Sequence, residues 1–192
     1  MARLLYTAIC SLDGYTADAD GDFDWSMPDA EVHEAVNAVS ERVGTQLLGR
    51  RMYDVLKVWD DPAMLNDDEP AIREFAEVWR ATEKVVCSRT LDSVDAPNTS
   101  VVRELDIADV RRRLAGSDED LGIGGPTLAA QVIAAGLVDE IHLFVNPVIV
   151  GGGLRALPDG VRLDLTLAGE RRFRNGVVHL HYVRGPGSAE TR

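Results

Sequence analysis

A chain of 192 residues with 45% hydrophobic residues is long enough to bury one proper core, so a single domain is the natural reading. Its formal net charge of −12 excludes a general nucleic-acid binder, which needs a basic face, but not a phosphorylated small molecule held by a few local arginines and helix ends. No apolar run approaches the ~20 residues of a membrane helix. No signal peptide is recognisable where Arg3 and Asp13 bracket a short apolar run, so a cytoplasmic protein with no membrane partner is expected.

Leu4 to Cys10 reads as a central strand entering a loop that begins Ser11-Leu12-Asp13-Gly14. The aspartate-rich loop from Asp13 to Asp24 is expected to be mobile and near the surface. Phe23 and Trp25 are odd residues there; either they fold back as a local hydrophobic plug or they line a pocket for a flat ligand. Ser26 is the expected cap of a helix, with Asp29 three residues on. Val32, Val36, Val39 and Val43 fall on one face at helical spacing, and His33 reads as a solvated or core-edge histidine.

Thr45 to Leu48 is a short strand running into Gly49-Arg50-Arg51-Met52, and a helix follows from about Met52 to Val58. Two cations at a helix start oppose its dipole unless an anion is also present; a solvated charge pair is the other reading. After an acidic loop from Asp60 to Asp68, Pro70 opens a helix with Ile72, Phe75, Ala76 and Trp79 inward. Lys84 to Cys87 is a strand followed by Ser88-Arg89-Thr90, and Val101-Val102 is another short one. Asp106 caps a helix that turns Ile107, Val110 and Leu114 inward and ends at Gly116. The two cysteines, Cys10 and Cys87, both lie in strand-like runs and are expected to be buried free thiols.

The chain is organised around Leu121 to Gly153, which reads as a strand, a glycine turn, a helix from about Pro126 to Ala135, and a second strand ending at three glycines. Pro126 suits the first turn of a helix, and Gly124 and Gly125 let a ligand approach the backbone. The free N–H groups of that helix would then face an anion, best a phosphate. A tight turn with no ligand is the equal alternative. The G-x-G-x-x-G fingerprint is a poor match, because Thr127 stands at the third glycine and the turn comes late in the chain; no Walker loop occurs. Further on, Leu163, Leu165 and Leu167 alternate with polar or small residues, and Asn175-Gly176 predicts a hairpin leading into Val177 to Val183. His179 and His181 share one face of that strand, but a metal needs at least three ligands and no third is apparent, so no metal is expected. The fold class is therefore α/β: a mixed, mainly parallel central sheet flanked by helices, with a C-terminal antiparallel hairpin. Residues 1–184 form one domain and residues 185–192 a flexible tail.

Ser11-Leu12-Asp13-Gly14, Leu48-Gly49-Arg50-Arg51-Met52-Tyr53, Cys87-Ser88-Arg89-Thr90 and Gly124-Gly125-Pro126-Thr127-Leu128 occur in this order, followed by Val138-Asp139-Glu140-Ile141 and Gly151-Gly152-Gly153. In this the chain resembles the dihydrofolate reductase superfamily, and most nearly the branch that includes the reductase domain of bacterial riboflavin biosynthesis. The resemblance runs from about Leu4 to Val183. It implies NADPH as cofactor. Gly49 and Arg50, with Arg51 and Met52 beside them, match the helix start near the adenosine-side phosphates. Ser88 and Arg89 match the strand end that grips the 2′-phosphate, where arginine makes planar bidentate contacts. Ile123, Gly124, Gly125, Pro126 and Thr127 match the turn under the pyrophosphate, and Ala8 a backbone position beside the nicotinamide.

The substrate side follows the pattern less closely. Trp25 and Pro28 match the tryptophan and proline of the folate reductases, but Ala30 stands where they carry an acid, and Asp29 and Glu31 flank it. On a helix a one-residue shift turns a side chain by about 100°. The resemblance implies hydride transfer from NADPH to a small pterin- or aminopyrimidine-like heterocycle. Trp25, Met52, Tyr53 and Trp59 are the candidates to line its slot, and Asp24 or Asp29 to deliver the proton; a solvated loop or helix-cap residue is the other reading of each acid. The rival reading is a non-catalytic NADP(H)-binding sensor or subunit of the same fold. Relatives pair as homodimers, and the apolar run Val145 to Val150 is the candidate contact; a buried strand explains that run equally well.

Overall fold

A computed structural model describes residues 2–185. Ten strands and five α-helices follow one another, with short 3-10 turns between. The strands are β1 (Leu4–Ser11), β2 (Tyr15–Ala17), β3 (Val43–Gly49), β4 (Glu83–Cys87), β5 (Thr99–Val102), β6 (Asp120–Gly124), β7 (Glu140–Asn146), β8 (Leu154–Arg155), β9 (Leu165–Arg172) and β10 (Val178–Arg184). The helices are α1 (Ala30–Ser40), α2 (Arg50–Leu56), α3 (Pro70–Ala81), α4 (Ile107–Gly116) and α5 (Pro126–Ala134). Eight strands form one sheet in the order β5-β4-β3-β6-β1-β7-β10-β9; β2 and β8 pair separately. From β5 to β7 the neighbours are parallel, whereas β10 is antiparallel to both β7 and β9. The expected fold class, a mainly parallel sheet closed by an antiparallel hairpin, is what the chain adopts.

Successive strand residues point to opposite faces, and β3 shows what each face meets. Leu47 joins Tyr6, Val85, Val110, Leu128 and Val132 in the core under α4 and α5. Its neighbour Leu48 joins Val86, Tyr53 and Trp79 under α2 and α3. Val32 of α1 packs on Phe144, Phe173 and Val177. Because helices cover both faces, β7 is buried on both sides, and the polar His142 and Asn146 are as enclosed as Ile141.

Several boundaries differ from expectation. Asp29 caps α1, its side chain accepting from the Val32 amide at 3.0 Å, and Ser26 closes a 3-10 turn before it. Val43 belongs to β3, because α1 ends at Ser40. β7 stops at Asn146, before Pro147, which has no N–H for the ladder, so the three glycines lie in the loop beyond. The loop from Asp13 to Asp24 is structured: β2 pairs with β8, and the Asp18 carboxylate accepts from the amides of Asp20 and Asp22. Of the expected tail, Gly185 donates to Asp164 O at 3.0 Å, and residues 186–192 lie outside the described part. Cys10 and Cys87 are free thiols, Cys10 buried and Cys87 half-buried, and burial pushes both up to about 11.

Candidate active site

Strand register locates the site. The β1–β6 ladder closes at Tyr6↔Ile123, while the β1–β7 ladder continues to Ser11↔Asn146. From Ala8 onward, β1 therefore has no ladder partner on its β6 side. The two strands part at their carboxyl ends and leave a crevice, the place where open α/β sheets bind ligands. On one side of it, Leu48 pairs with Gly124 and Gly49 with Cys87, so the ends of β3, β4 and β6 lie level along one edge.

Each of these ends leads into a predicted binding element. Gly125 has φ +91 and Pro126 opens α5, so the turn lays no side chain of its own over the first-turn amides of that helix. A Cβ on Gly124 would sit 2.7 Å from the Leu48 side chain and 3.3 Å from Met52 Cγ, so this turn is packed against α2. Gly49 is the N-cap residue of α2. Arg50, on the first turn, donates to Thr90 Oγ1 and thereby joins α2 to the loop after β4. Arg89 lies in that same loop, 83% exposed, with a loose ion pair of 3.8 Å to Glu104. Arg51 and Thr127 are exposed at the same edge. The structure thus brings Gly49, Arg50, Arg51, Arg89 and the Gly124–Thr127 turn to one end of the sheet. Ala8 and Ile123 face the α5-side core, so only their backbone is available there.

Other predicted residues sit differently. Ser88 is buried, and its hydroxyl accepts from the amides of Thr90 and Leu91 at 3.3 and 3.0 Å. It shapes the loop that presents Arg89 rather than reaching outward. Tyr53 is only 5% exposed, packed with Leu48, Trp79 and Val86, and does not line a slot. Trp59 packs edge-on to Phe75 with ring centroids 4.8 Å apart, and His33 tilts against both at 5.5 Å. His33 is thus a core histidine, its pKa lowered by burial. Asp29 is committed as the α1 cap, and Asp24 opens the exposed 3-10 turn that carries Trp25. That turn packs against β1. Trp25 is half-buried, and its indole N–H is enclosed without a partner.

The lip at the β1 end is stitched to the glycine loop after β7. Asp13 accepts from Ser11 Oγ at 2.7 Å, from the Val150 amide at 3.2 Å and from the Gly151 amide at 2.8 Å. These bonds hold the Asp13 carboxyl below its usual range, the Ser11 hydroxyl contributing most. Leu12 N donates to Val148 O, and Ala156 N to Gly14 O. A Cβ on Gly153 would lie 2.1 Å from Ala17 O, so this close approach needs glycine.

A second polar cluster lies toward the other end of the strands. Glu140 Oε2 is 3.0 Å from His181 Nε2 and 3.3 Å from His142 Nε2, and His142 Nδ1 is 3.0 Å from His179 Nε2. Glu140, His142 and His181 offer the third ligand that the sequence did not reveal. The arrangement does not suit a metal. The His142 and His181 rings stack at 4.1 Å with 13° between planes, and an ion must lie close to the plane of each imidazole that binds it. Arg3 and Arg42 also occupy the Glu140 carboxylate, at 2.6 Å and at 2.9 and 3.0 Å. Burial alone would raise the Glu140 carboxyl, but these arginines outweigh it and hold it below the usual range.

A concavity of about 640 Å³ also lies at the amino-terminal ends of β3 and β4, bounded by Thr45, Glu83, Asn98, Arg112, Arg113 and Glu119. Its arginines are paired with Glu83 and Asp109, and the glycine turns and parted strands are at the opposite edge. Chemistry, not volume, makes the crevice the candidate site.

An open, mainly parallel sheet flanked by helices and closed by an antiparallel hairpin defines an α/β protein of the dihydrofolate reductase-like fold. The RibD C-terminal domain profile matches residues 2–179, and the chain belongs to that family. The Bacillus subtilis protein YyaP is 27% identical over 183 residues, covering 94% of each chain. A Shewanella protein of solved structure shares the fold with a TM-score of 0.74, at 23% identity over 96% of this chain and 99% of its own. The Thermotoga maritima diaminohydroxyphosphoribosylaminopyrimidine deaminase/5-amino-6-(5-phosphoribosylamino)uracil reductase gives a TM-score of 0.65 at 16% identity over 96% of this chain. This chain spans 57% of that protein. No helix among the described residues is long and apolar enough to cross a membrane.

Proposed function

We propose that the protein is an NADPH-dependent reductase that passes a hydride to a small pterin- or aminopyrimidine-like heterocycle. The observation that carries this is the crevice where β1 parts from β6, with Arg50, Arg89 and the Gly124–Gly125 turn on the same edge. A dinucleotide laid along that edge places its phosphates against the first-turn amides of α5, whose dipole end favours negative charge. Arg89 and Arg50 suit the additional 2′-phosphate that distinguishes NADPH from NADH. The nicotinamide then lies against the β1 backbone from Ala8 onward. Reduced nicotinamide supplies the hydride when bound; the chain's own part is to hold donor and acceptor at reacting distance and exclude water.

The name of the Thermotoga relative, an aminouracil reductase, supports an aminopyrimidine substrate over a folate, as does Ala30 in the position of the folate-reductase acid. Homodimerisation belongs to the same reading, and Ile149, 70% exposed in the run after β7, is the residue to probe for it. The test is a titration of NADPH and NADH, followed by turnover with pterins, dihydrofolate and aminopyrimidines. Tight NADPH binding with oxidation by at least one heterocycle is expected. Binding without any turnover favours a non-catalytic module, and indifference to NADPH at about 1 mM, where binding free energy is only about −4 kcal/mol, rejects both.

A further inference from the structure

One polar side chain at the carboxyl end of β7 is left over by everything described so far. Asn146 ends β7 directly opposite Ser11, at the carboxyl end of β1. It is only 8% exposed, yet its amide Nδ2 is buried without a hydrogen-bond partner. An unmade buried donor costs about 1–3 kcal/mol, and native chains satisfy nearly all such groups. Its polar neighbours are already occupied: Ser11 Oγ donates to Asp13 and accepts from the Tyr15 amide at 3.0 Å. The second unpartnered donor in this part of the molecule, Trp25 Nε1, sits on the turn that packs against the same strand. Glu140, His142 and Phe144 precede Asn146 on its own face of β7. The first two are tied to each other and to His181, and Phe144 is apolar, so nothing on that strand face offers Asn146 an acceptor.

We propose that Asn146, together with Trp25, reads the substrate ring, and that both donate to acceptor atoms on it. The ligand class is therefore a planar heterocycle whose facing edge presents carbonyl oxygens, rather than one edged with amino groups. An asparagine amide can be turned end for end, but an indole N–H is a donor only, and it fixes the polarity of the edge. A site built around donors rejects an analogue that brings more donors, because buried N–H groups are then left facing one another. Asn146 is a binding residue for the ring, and the proposal rests on the reductase reading only for the identity of the second ligand in the crevice.

The test is calorimetric binding of 5-aminouracil and 2,4,5-triaminopyrimidine to the full chain, at mildly alkaline pH where both rings are neutral. One ring carries carbonyl oxygens where the other carries amino groups. The wild-type protein is expected to bind 5-aminouracil at least about tenfold more tightly. Asn146→Leu and Trp25→Phe should each remove most of that preference. Asn146→Leu should also melt no lower than wild type, since it deletes an unsatisfied donor, whereas a structural asparagine would leave the variant less stable. Equal binding of the two rings, no binding of either up to about 10 mM, or a preference untouched in both variants overturns the proposal. NADPH affinity is measured on the same samples. Its absence in the wild type sinks the reductase reading, while the ring preference alone decides the role of Asn146.

Discussion

The two ends of the central sheet are built to opposite rules. Toward the amino end, polar groups are buried and matched to one another: Glu140 takes Arg3, Arg42, His142 and His181, Asp120 takes Arg42 and the Arg3 amide, and Asp139 takes the Leu4 amide. At the carboxyl end, β1 and β6 part, Arg89 stands largely exposed, and the buried donors of Asn146 and Trp25 go unmatched. A saturated network holds strands together, and an unsaturated one waits for a ligand. The same parallel sheet thus spends one edge on stability, and the proposed ligands would bind at the other.

The largest expected effect breaks the saturated end. Glu140 is 1% exposed, and Glu140→Ala removes the carboxylate that Arg3, Arg42, His142 and His181 share. Both arginines stay in contact with water and Arg42 keeps Asp120, so the fold should lose about 1.5–3 kcal/mol, the worth of hydrogen bonds to a charged group, as read from urea unfolding. NADPH affinity measured below the transition should change little.

Acid attacks the same end. His142 and His179 are both lowered to about 4, by burial first and then by His181, with Arg171 adding to the effect on His179. The unfolded chain takes up these protons from about pH 6.5, and the folded chain refuses them until about 4. Stability should therefore rise with pH through that window and fall on acidification. Glu140, held low, adds a loss only below its unfolded value of about 4.3. Urea midpoints measured at pH values from about 7.5 to 4.5 should fall, and His142→Gln should flatten the slope.

Two smaller effects sharpen the view of the open end. Arg89→Ala should weaken NADPH by about tenfold, close to the worth of one charged hydrogen bond, and leave NADH affinity nearly unchanged. Equal losses for both coenzymes would move the 2′-phosphate elsewhere. Smallest is Asp29→Asn. Asparagine caps a helix about as well as aspartate, so stability should move by less than about 0.5 kcal/mol and turnover should persist. A collapse of kcat with intact stability would instead make Asp29 the proton donor.

Much of the sheet was legible from residues alone, because apolar alternation, Pro70, Pro126, Asp106 and Asn175-Gly176 act locally. The Asp106 cap is found where expected, accepting from the Ala108 amide at 2.8 Å, and α5 begins at Pro126. The exchange of Ser26 for Asp29 as the α1 cap was not legible, since both satisfy the same pattern and only the preceding 3-10 turn chooses between them. Of the candidate site, the placing of the glycine turn and of Arg50 and Arg89 just after β6, β3 and β4 could be read. Tyr53 could not, because its inward orientation depends on Leu48, Trp79 and Val86 from other segments.

The sequence by itself determined most of the strands and helices, though not β2 or β8, and where the glycine turn would fall, since these follow from periodicity, caps and backbone freedom within a few residues. Only the tertiary structure decided that β1 leaves β6 after Tyr6, that Glu140 gathers partners 2, 41, 98 and 137 residues away, and that Asn146 ends without one. Register and side-chain partnership are set by contacts between distant segments, and one residue of slip in any strand would turn each of these side chains to the other face.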